Sequence, residues 1–204
     1  DFHTLTTLAY FDLPLTYDGT IDTNDPGYIT FTSDKATEIF NKAHAAGAKV
    51  NVTVSLMQNN VILAFLDNPQ AQERATTNII HEVKSKGIDG VSIDVEYAGN
   101  PGVDYQNKFS HFVEKFSNRL HQEVPNSQVT VAVYAGSARG QQLYDLGRLA
   151  KAADAIFMMA YDFATKSADK AEPTAPLYGH KEGKYAYDVS TAVEDFLQVM
   201  PAEK

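Results

Sequence analysis

The sequence predicts an α/β fold in which parallel strands are joined by helical crossovers. Two observations carry this. Short runs rich in β-branched residues alternate along the chain with longer stretches of helical periodicity, the mark of successive strand–helix units. One strand, over residues 91–95, has two faces of opposite character: Val91, Ile93 and Val95 on one, Ser92, Asp94 and then Glu96 on the other. An open parallel sheet normally buries apolar side chains on both faces. A polar inner face suits a barrel better, although alternation alone fits both a barrel segment and an open doubly wound sheet.

The elements follow in order. Residues 5–11 are apolar and threonine-rich and read as a strand. Asp18-Gly19-Thr20 and Asn24-Asp25-Pro26-Gly27 are turn-forming clusters, read as loop. Ser33 is placed to cap a helix over 34–46, with Gly47 as its stop. Residues 49–56 form the second strand. Asn68-Pro69 opens a helix with proline at its first position, carrying Ile79, Ile80 and Val83 and ending at Gly87. After the acidic strand, residues 104–124 read as a long helix. Its apolar stripe is Phe109, Phe112, Val113, Phe116 and Leu120, spaced by threes and fours. A strand over 129–134, a helix over 141–153, a strand over 155–161, a polar loop with Pro173 and Pro176, and a helix over 189–200 complete the series of five strands.

The composition suits a soluble globular chain: 44% hydrophobic, 21% charged, in 204 residues. The net charge of −9 and the lack of a basic patch disfavour nucleic acid as a partner. No apolar run approaches the roughly 20 residues of a bilayer span. There is no cysteine, which excludes disulfides and thiol catalysis. The six histidines show no metal-ligand spacing, so neither metal nor cofactor is expected. The chain opens at Asp1-Phe2-His3, close to its first strand, and reads as a piece of a longer protein.

The chemistry concentrates at Asp89-Gly90-Val91-Ser92-Ile93-Asp94-Val95-Glu96-Tyr97. Same-face neighbours on a strand lie roughly 6.5 Å apart, so Asp94 and Glu96 are adjacent. If that face is enclosed, burial and like charge drive their pKa values apart and keep one acid protonated near neutral pH. A proton donor beside a carboxylate is the working pair of glycoside hydrolysis. Asp89, on the other face, is expected to secure the turn into the strand.

This stretch resembles the Asp-Gly-x-Asp-x-Asp-x-Glu signature of family 18 glycoside hydrolases, the chitinases and endo-β-N-acetylglucosaminidases. Asp89, Gly90, Asp94 and Glu96 match it. Met159-Ala160-Tyr161-Asp162-Phe163 resembles the family's Met-x-Tyr-Asp segment at the end of the sixth barrel strand, in the right order along the chain. The resemblance implies a (β/α)8 TIM barrel of typically about 250 residues. Residues 1–204 would then be an incomplete segment, about strands two to six, of a single domain continuing beyond both ends.

It further implies retaining, substrate-assisted hydrolysis of β-1,4 bonds next to N-acetylglucosamine, as in chitin or chito-oligosaccharides. Glu96 would be the general acid, and Asp94 would orient the acetamido group that attacks the anomeric carbon. Tyr161 would bond the acetamido oxygen, Met159 would line the pocket and Asp162 would bind sugar hydroxyls. Tyr10 and Thr53 are weaker candidates on neighbouring strands. The partner would be a polysaccharide or oligosaccharide containing N-acetylglucosamine, and the parent protein would act outside the cell or on its surface.

Three departures stand out. Ser92 replaces the signature's middle Asp, and the expectation is that activity survives with Asp94 more firmly ionised and held toward Glu96. There is also no tryptophan, so sugar stacking would fall to Tyr97, Tyr134, Tyr161 or other aromatics. The family's Ser-x-Gly-Gly segment is largely lost at Thr53-Val54-Ser55-Leu56. Two further readings remain: a non-catalytic, lectin-like sugar binder on the same scaffold, and an endo-β-N-acetylglucosaminidase acting on N-glycans.

Overall fold

The computed structural model describes residues 2–140, 142–164 and 169–204. Five strands form one parallel sheet: β1 (Thr7–Pro14), β2 (Lys49–Leu56), β3 (Gly90–Val95), β4 (Gln128–Tyr134) and β5 (Ala155–Met159). Their order in space is their order in sequence. Each crossover therefore returns the chain to the adjacent position, as in a barrel wall. β1 and β5 are the two edges, and the barrel is not closed.

The helices are α1 (Pro26–Thr32), α2 (Asp34–Ala45), α3 (Asn59–Leu66), α4 (Pro69–Lys86), α5 (Val103–Glu123), α6 (Leu146–Ala152) and α7 (Val189–Val199). Ser33 Oγ accepts from Ala36 N at 3.2 Å, the expected cap of α2. Asn68 Oδ1 accepts from Gln70 N and Ala71 N above Pro69, the expected start of α4. Gly87 ends that helix at φ 62°, a left-handed position that suits glycine.

The sheet has two faces of different chemistry. Val50, Val52 and Val54 on β2 and Val91, Ile93 and Val95 on β3 are buried in the apolar core. Phe109, Phe112, Val113, Phe116 and Leu120 of α5 belong to the same core, and the Phe112 ring meets Phe65 of α3 edge-on at 5.1 Å. The other parity carries polar groups. Strand register aligns Asn51 with Gly90 and Gln128, Thr53 with Ser92 and Thr130, and Ser55 with Asp94. Gly90 has a steric cause: a Cβ there would lie 2.3 Å from the Gln128 carbonyl oxygen and 2.7 Å from Asn51 Oδ1.

One device secures the strand entrances twice. Asp89 Oδ2 accepts from Val50 N at 2.7 Å and meets His44 Nε2 at 2.7 Å. Asp154 Oδ2 accepts from Val129 N at 2.6 Å and meets His121 Nε2 at 3.0 Å. In each case an Asp just before one strand holds the start of the preceding strand and the end of its helix. Asp89 is thus structural, but its side chain secures β2 and the end of α2 rather than the turn into β3.

Several boundaries differ from expectation. β1 runs to Pro14 rather than ending at residue 11, because it stays paired to β2 across a register shift between Tyr10 and Leu13. The cluster read as loop at 24–27 opens α1: Asp25 caps it, accepting from Gly27 N at 2.7 Å, with Pro26 in the first turn. α3 was not anticipated; it buries Ile62, Phe65 and Leu66. The helix expected over 141–153 begins only at Leu146, where Asp145 accepts from Arg148 N; residue 141 lies outside the described residues. β5 ends at Met159, not at 161, and Asp162 lies in the left-handed region at φ 57°. Among the described residues, no helix is long and apolar enough to cross a membrane.

Candidate active site

The site lies at the C-terminal ends of β3, β4 and β5, the end at which barrel enzymes place their chemistry. Asp94 belongs to β3. Glu96 lies just past the strand but remains in the ladder, its N–H donating to Leu56 O at 2.9 Å. The buried Tyr144 hydroxyl donates to Val95 O at 2.8 Å and so secures the backbone between the two acids. Tyr144 packs edge-on against Tyr134 at 5.6 Å, and Tyr134 lines the same cavity as Glu96.

Glu96 opens onto a cavity of about 470 Å³ whose lining includes Tyr134, Met159, Tyr161, Asp162 and Tyr187. This is within the usual range for a small-molecule site. Met159 is buried as a wall, whereas Tyr161 is 51% exposed at the rim. Asp94 is 5% exposed and not part of the lining. Its Oδ1 is buried without a hydrogen-bond partner. Burial, then the Glu96 charge, then the Asp12 charge push the Asp94 carboxyl up to about 7. Burial and the two acids likewise push the Tyr134 and Tyr161 hydroxyls up.

The enclosed acid pair therefore forms, with Asp94 as the member whose carboxyl is pushed up. The firmer ionisation of Asp94 expected with Ser92 is not found: its carboxyl is pushed up, first by burial and then by the Glu96 charge. Among the described residues no group donates to Asp94 Oδ1, Ser92 included.

Glu96, Met159, Tyr161 and Asp162 are brought to one cavity, with Asp94 behind them. Ser92 lies one interior row deeper, aligned with Thr53 and Thr130. Tyr10 is not brought to this cavity. Its hydroxyl donates to Gly27 O at 2.7 Å and its ring packs between Phe31 and Phe40. Tyr187 was not anticipated from sequence. Its hydroxyl donates to Asp195 Oδ2 at 2.8 Å, and the Arg139 guanidinium lies 4.1 Å over its ring and also bonds Asp195. Tyr187 sits in a polar stretch without periodicity, so no local signal marks it.

The sequence profile described as Glycosyl hydrolases family 18 matches residues 3–204. The chain belongs to this family. The human di-N-acetylchitobiase is 25% identical over 126 residues, covering 61% of this chain and 31% of that protein. An endochitinase from Metarhizium anisopliae is 29% identical over 136 residues, covering 60% of this chain and 30% of that protein. The matched part is thus about a third of either relative. The crystal structure of the Ostrinia furnacalis Group IV chitinase in complex with allosamidin superposes with a TM-score of 0.83 at 20% identity. It covers 99% of this chain and 56% of that one. This likeness shows the fold: the five-stranded parallel sheet matches a fragment of a TIM barrel.

Proposed function

We propose that the protein hydrolyses β-1,4 glycosidic bonds next to N-acetylglucosamine, in chitin or chito-oligosaccharides, with retention and with the substrate's acetamido group as nucleophile. The observation that carries this reading is the arrangement of the acids in a family 18 chain: Glu96 at the cavity surface and a buried Asp94, raised to about 7, behind it. Such a coupled pair holds one proton between two carboxylates over a range around neutral pH. The relatives named as a chitobiase and an endochitinase favour this substrate class.

In the first step the acetamido oxygen attacks the anomeric carbon while Glu96 gives its proton to the departing glycosidic oxygen. The acetamido group becomes a positively charged oxazolinium. Asp94 accepts a hydrogen bond from its N–H, an interaction that strengthens as charge develops and so lowers the barrier. In the second step Glu96, now a carboxylate, takes a proton from the water that opens the ring. Tyr161 donates to the acetamido oxygen, Met159 shapes the pocket wall and Asp162 accepts from sugar hydroxyls. Tyr134 and Tyr187 offer the aromatic surface that tryptophan would otherwise supply. Residues 1–204 are part of a single catalytic barrel domain on this reading, and a chitin-type substrate places the protein outside the cell or on its surface.

The test is hydrolysis of a chromogenic N,N′-diacetylchitobioside by the full-length protein and its Glu96→Gln variant. Loss of a general acid costs about 100-fold or more, so the variant should be essentially inactive while still binding chito-oligosaccharide. Binding without hydrolysis by the wild type would instead mark a sugar-binding protein. An active Glu96→Gln variant would remove Glu96 from the mechanism.

A further inference from the structure

Asp94 faces more than Glu96. Register sets Ser55 of β2 directly opposite Asp94 of β3. The Ser55 hydroxyl donates to Asp12 Oδ2, and Asp12 lies in the stretch of β1 where the register to β2 shifts. Ser55 is buried and its single proton is committed to Asp12. The hydroxyl therefore orients the Asp12 carboxylate and leaves Asp94 Oδ1, itself buried, without a donor. Ser92, the same-face neighbour of Asp94 toward the start of β3, cannot carry a charge. An acid that acts on Asp94 from the sheet must then come from another strand, and Asp12 is so placed.

We propose that Asp12 is a positioning residue of the active site, whose Ser55-anchored carboxylate acts across β2 on the buried Asp94 and holds the proton on the Asp94–Glu96 pair. The inference rests on the reading of that pair as the working acids. Charges in a partly buried site interact strongly enough at several Å to move a titration by about one pH unit. Other groups act in the same place. Glu96 faces Asp94 from its own strand, Tyr134 from β4, Tyr144 from the segment before α6, and Tyr161 from beyond β5. Asp12 is faced by Ser55, Asp25 and Tyr10, and burial raises its own pKa while the Ser55 hydroxyl opposes that rise. All of these groups are acids or hydroxyls, so a negative Asp12 is not neutralised by any of them.

The sign follows from linkage. A negative Asp12 makes loss of the pair's last proton harder and extends the protonated pair to higher pH. Removing that charge lets the proton go at lower pH. In the full-length protein, Asp12→Asn should move the alkaline limb of the kcat–pH profile down by about one unit, with the acidic plateau of kcat and KM nearly unchanged. Asp12→Glu should restore most of the shift, which a merely structural role would not require. The same shift should appear without substrate, in the 13C carboxyl titration of Asp94 assigned by its loss in Asp94→Asn. A folded Asp12→Asn protein whose Asp94 midpoint stays within about 0.2 units of wild type overturns the inference. If the wild type does not hydrolyse the chitobioside, the hydrolase reading fails, and the Asp94 midpoint still decides the role of Asp12. If Asp12→Asn does not fold, Ser55→Ala, which frees the Asp12 carboxylate from its donor, should give a smaller downward shift; an unchanged midpoint there overturns the inference equally.

Discussion

Asp94 couples stability to pH at a single residue. Its carboxyl is near 3.8 in an unfolded chain and is raised to about 7 here. The folded state thus binds an extra proton between these values, and the associated stability is complete at acid pH and lost as pH rises through about 7. Asp94→Asn removes the titrating group. The wild type should lose stability from pH 5 to pH 8, whereas the variant should not, and at pH 8 the variant should be the more stable by up to about 4 kcal/mol. Urea midpoints at the two pH values check this, and parallel behaviour of the two proteins would contradict it. The same variant should be nearly inactive, since activity needs the charge that the fold disfavours.

The placing of Asp94 and Glu96 side by side was legible at this scale because strand alternation is local: residues two apart share a face whatever the rest of the chain does. The state of Asp94 was legible only in part. Burial and the Glu96 charge are the larger causes and follow from the strand pattern once the face is enclosed, but the contribution of Asp12 comes from another strand, and no spacing within β3 reveals it.

Among the elements, the α5 stripe and the paired Asp anchors hold the strands in place. Phe116 is fully buried, and Phe116→Ala should lower the unfolding free energy by about 3–5 kcal/mol, measured by urea titration. Asp89→Ala and Asp154→Ala each remove a side chain that accepts from a strand N–H, at β2 and β4. Each should cost about 1–2 kcal/mol, and the double variant should cost their sum because the two sites share no partner. A double variant no worse than either single one would show that the two anchors act on one shared event.

Helix starts were readable where a capping side chain precedes proline, as at Asn68-Pro69. The pair Asp25-Pro26 carries the same signal, but the neighbouring Asn24 and Gly27 make the stretch look like a turn. α3 was missed because Asn59–Leu66 is almost wholly apolar, and a short apolar run does not separate helix from strand by period. The start of α6 was misplaced because Asp145, which caps the helix by accepting from Arg148 N, was not read as its first signal.

At the scale of the whole molecule, the five strands form a barrel wall with two open edges. Among the described residues β1 and β5 each have a neighbouring strand on one side only, β5 meeting just Lys204 O through Ile156 N on the other, and Phe11 and Phe157 on them are 63% and 54% exposed. Unpaired parallel edges recruit other chains. Residues 1–204 expressed alone should therefore self-associate or precipitate and show no chitobioside hydrolysis. A monodisperse, active monomer in sedimentation equilibrium would refute this.

Alternation of strand and helix, the two-faced acidic strand and the α5 stripe all arise from neighbours in the chain, so the sequence was enough to specify the fold class and to put Glu96 and Asp94 on one face. Which aromatic groups line the cavity, that Tyr10 turns away to Gly27, and that Asp12 stands behind Asp94 arise from contacts between strands far apart in sequence. Those contacts exist only once the sheet has assembled, because register and crossover, not local pattern, set which side chains meet.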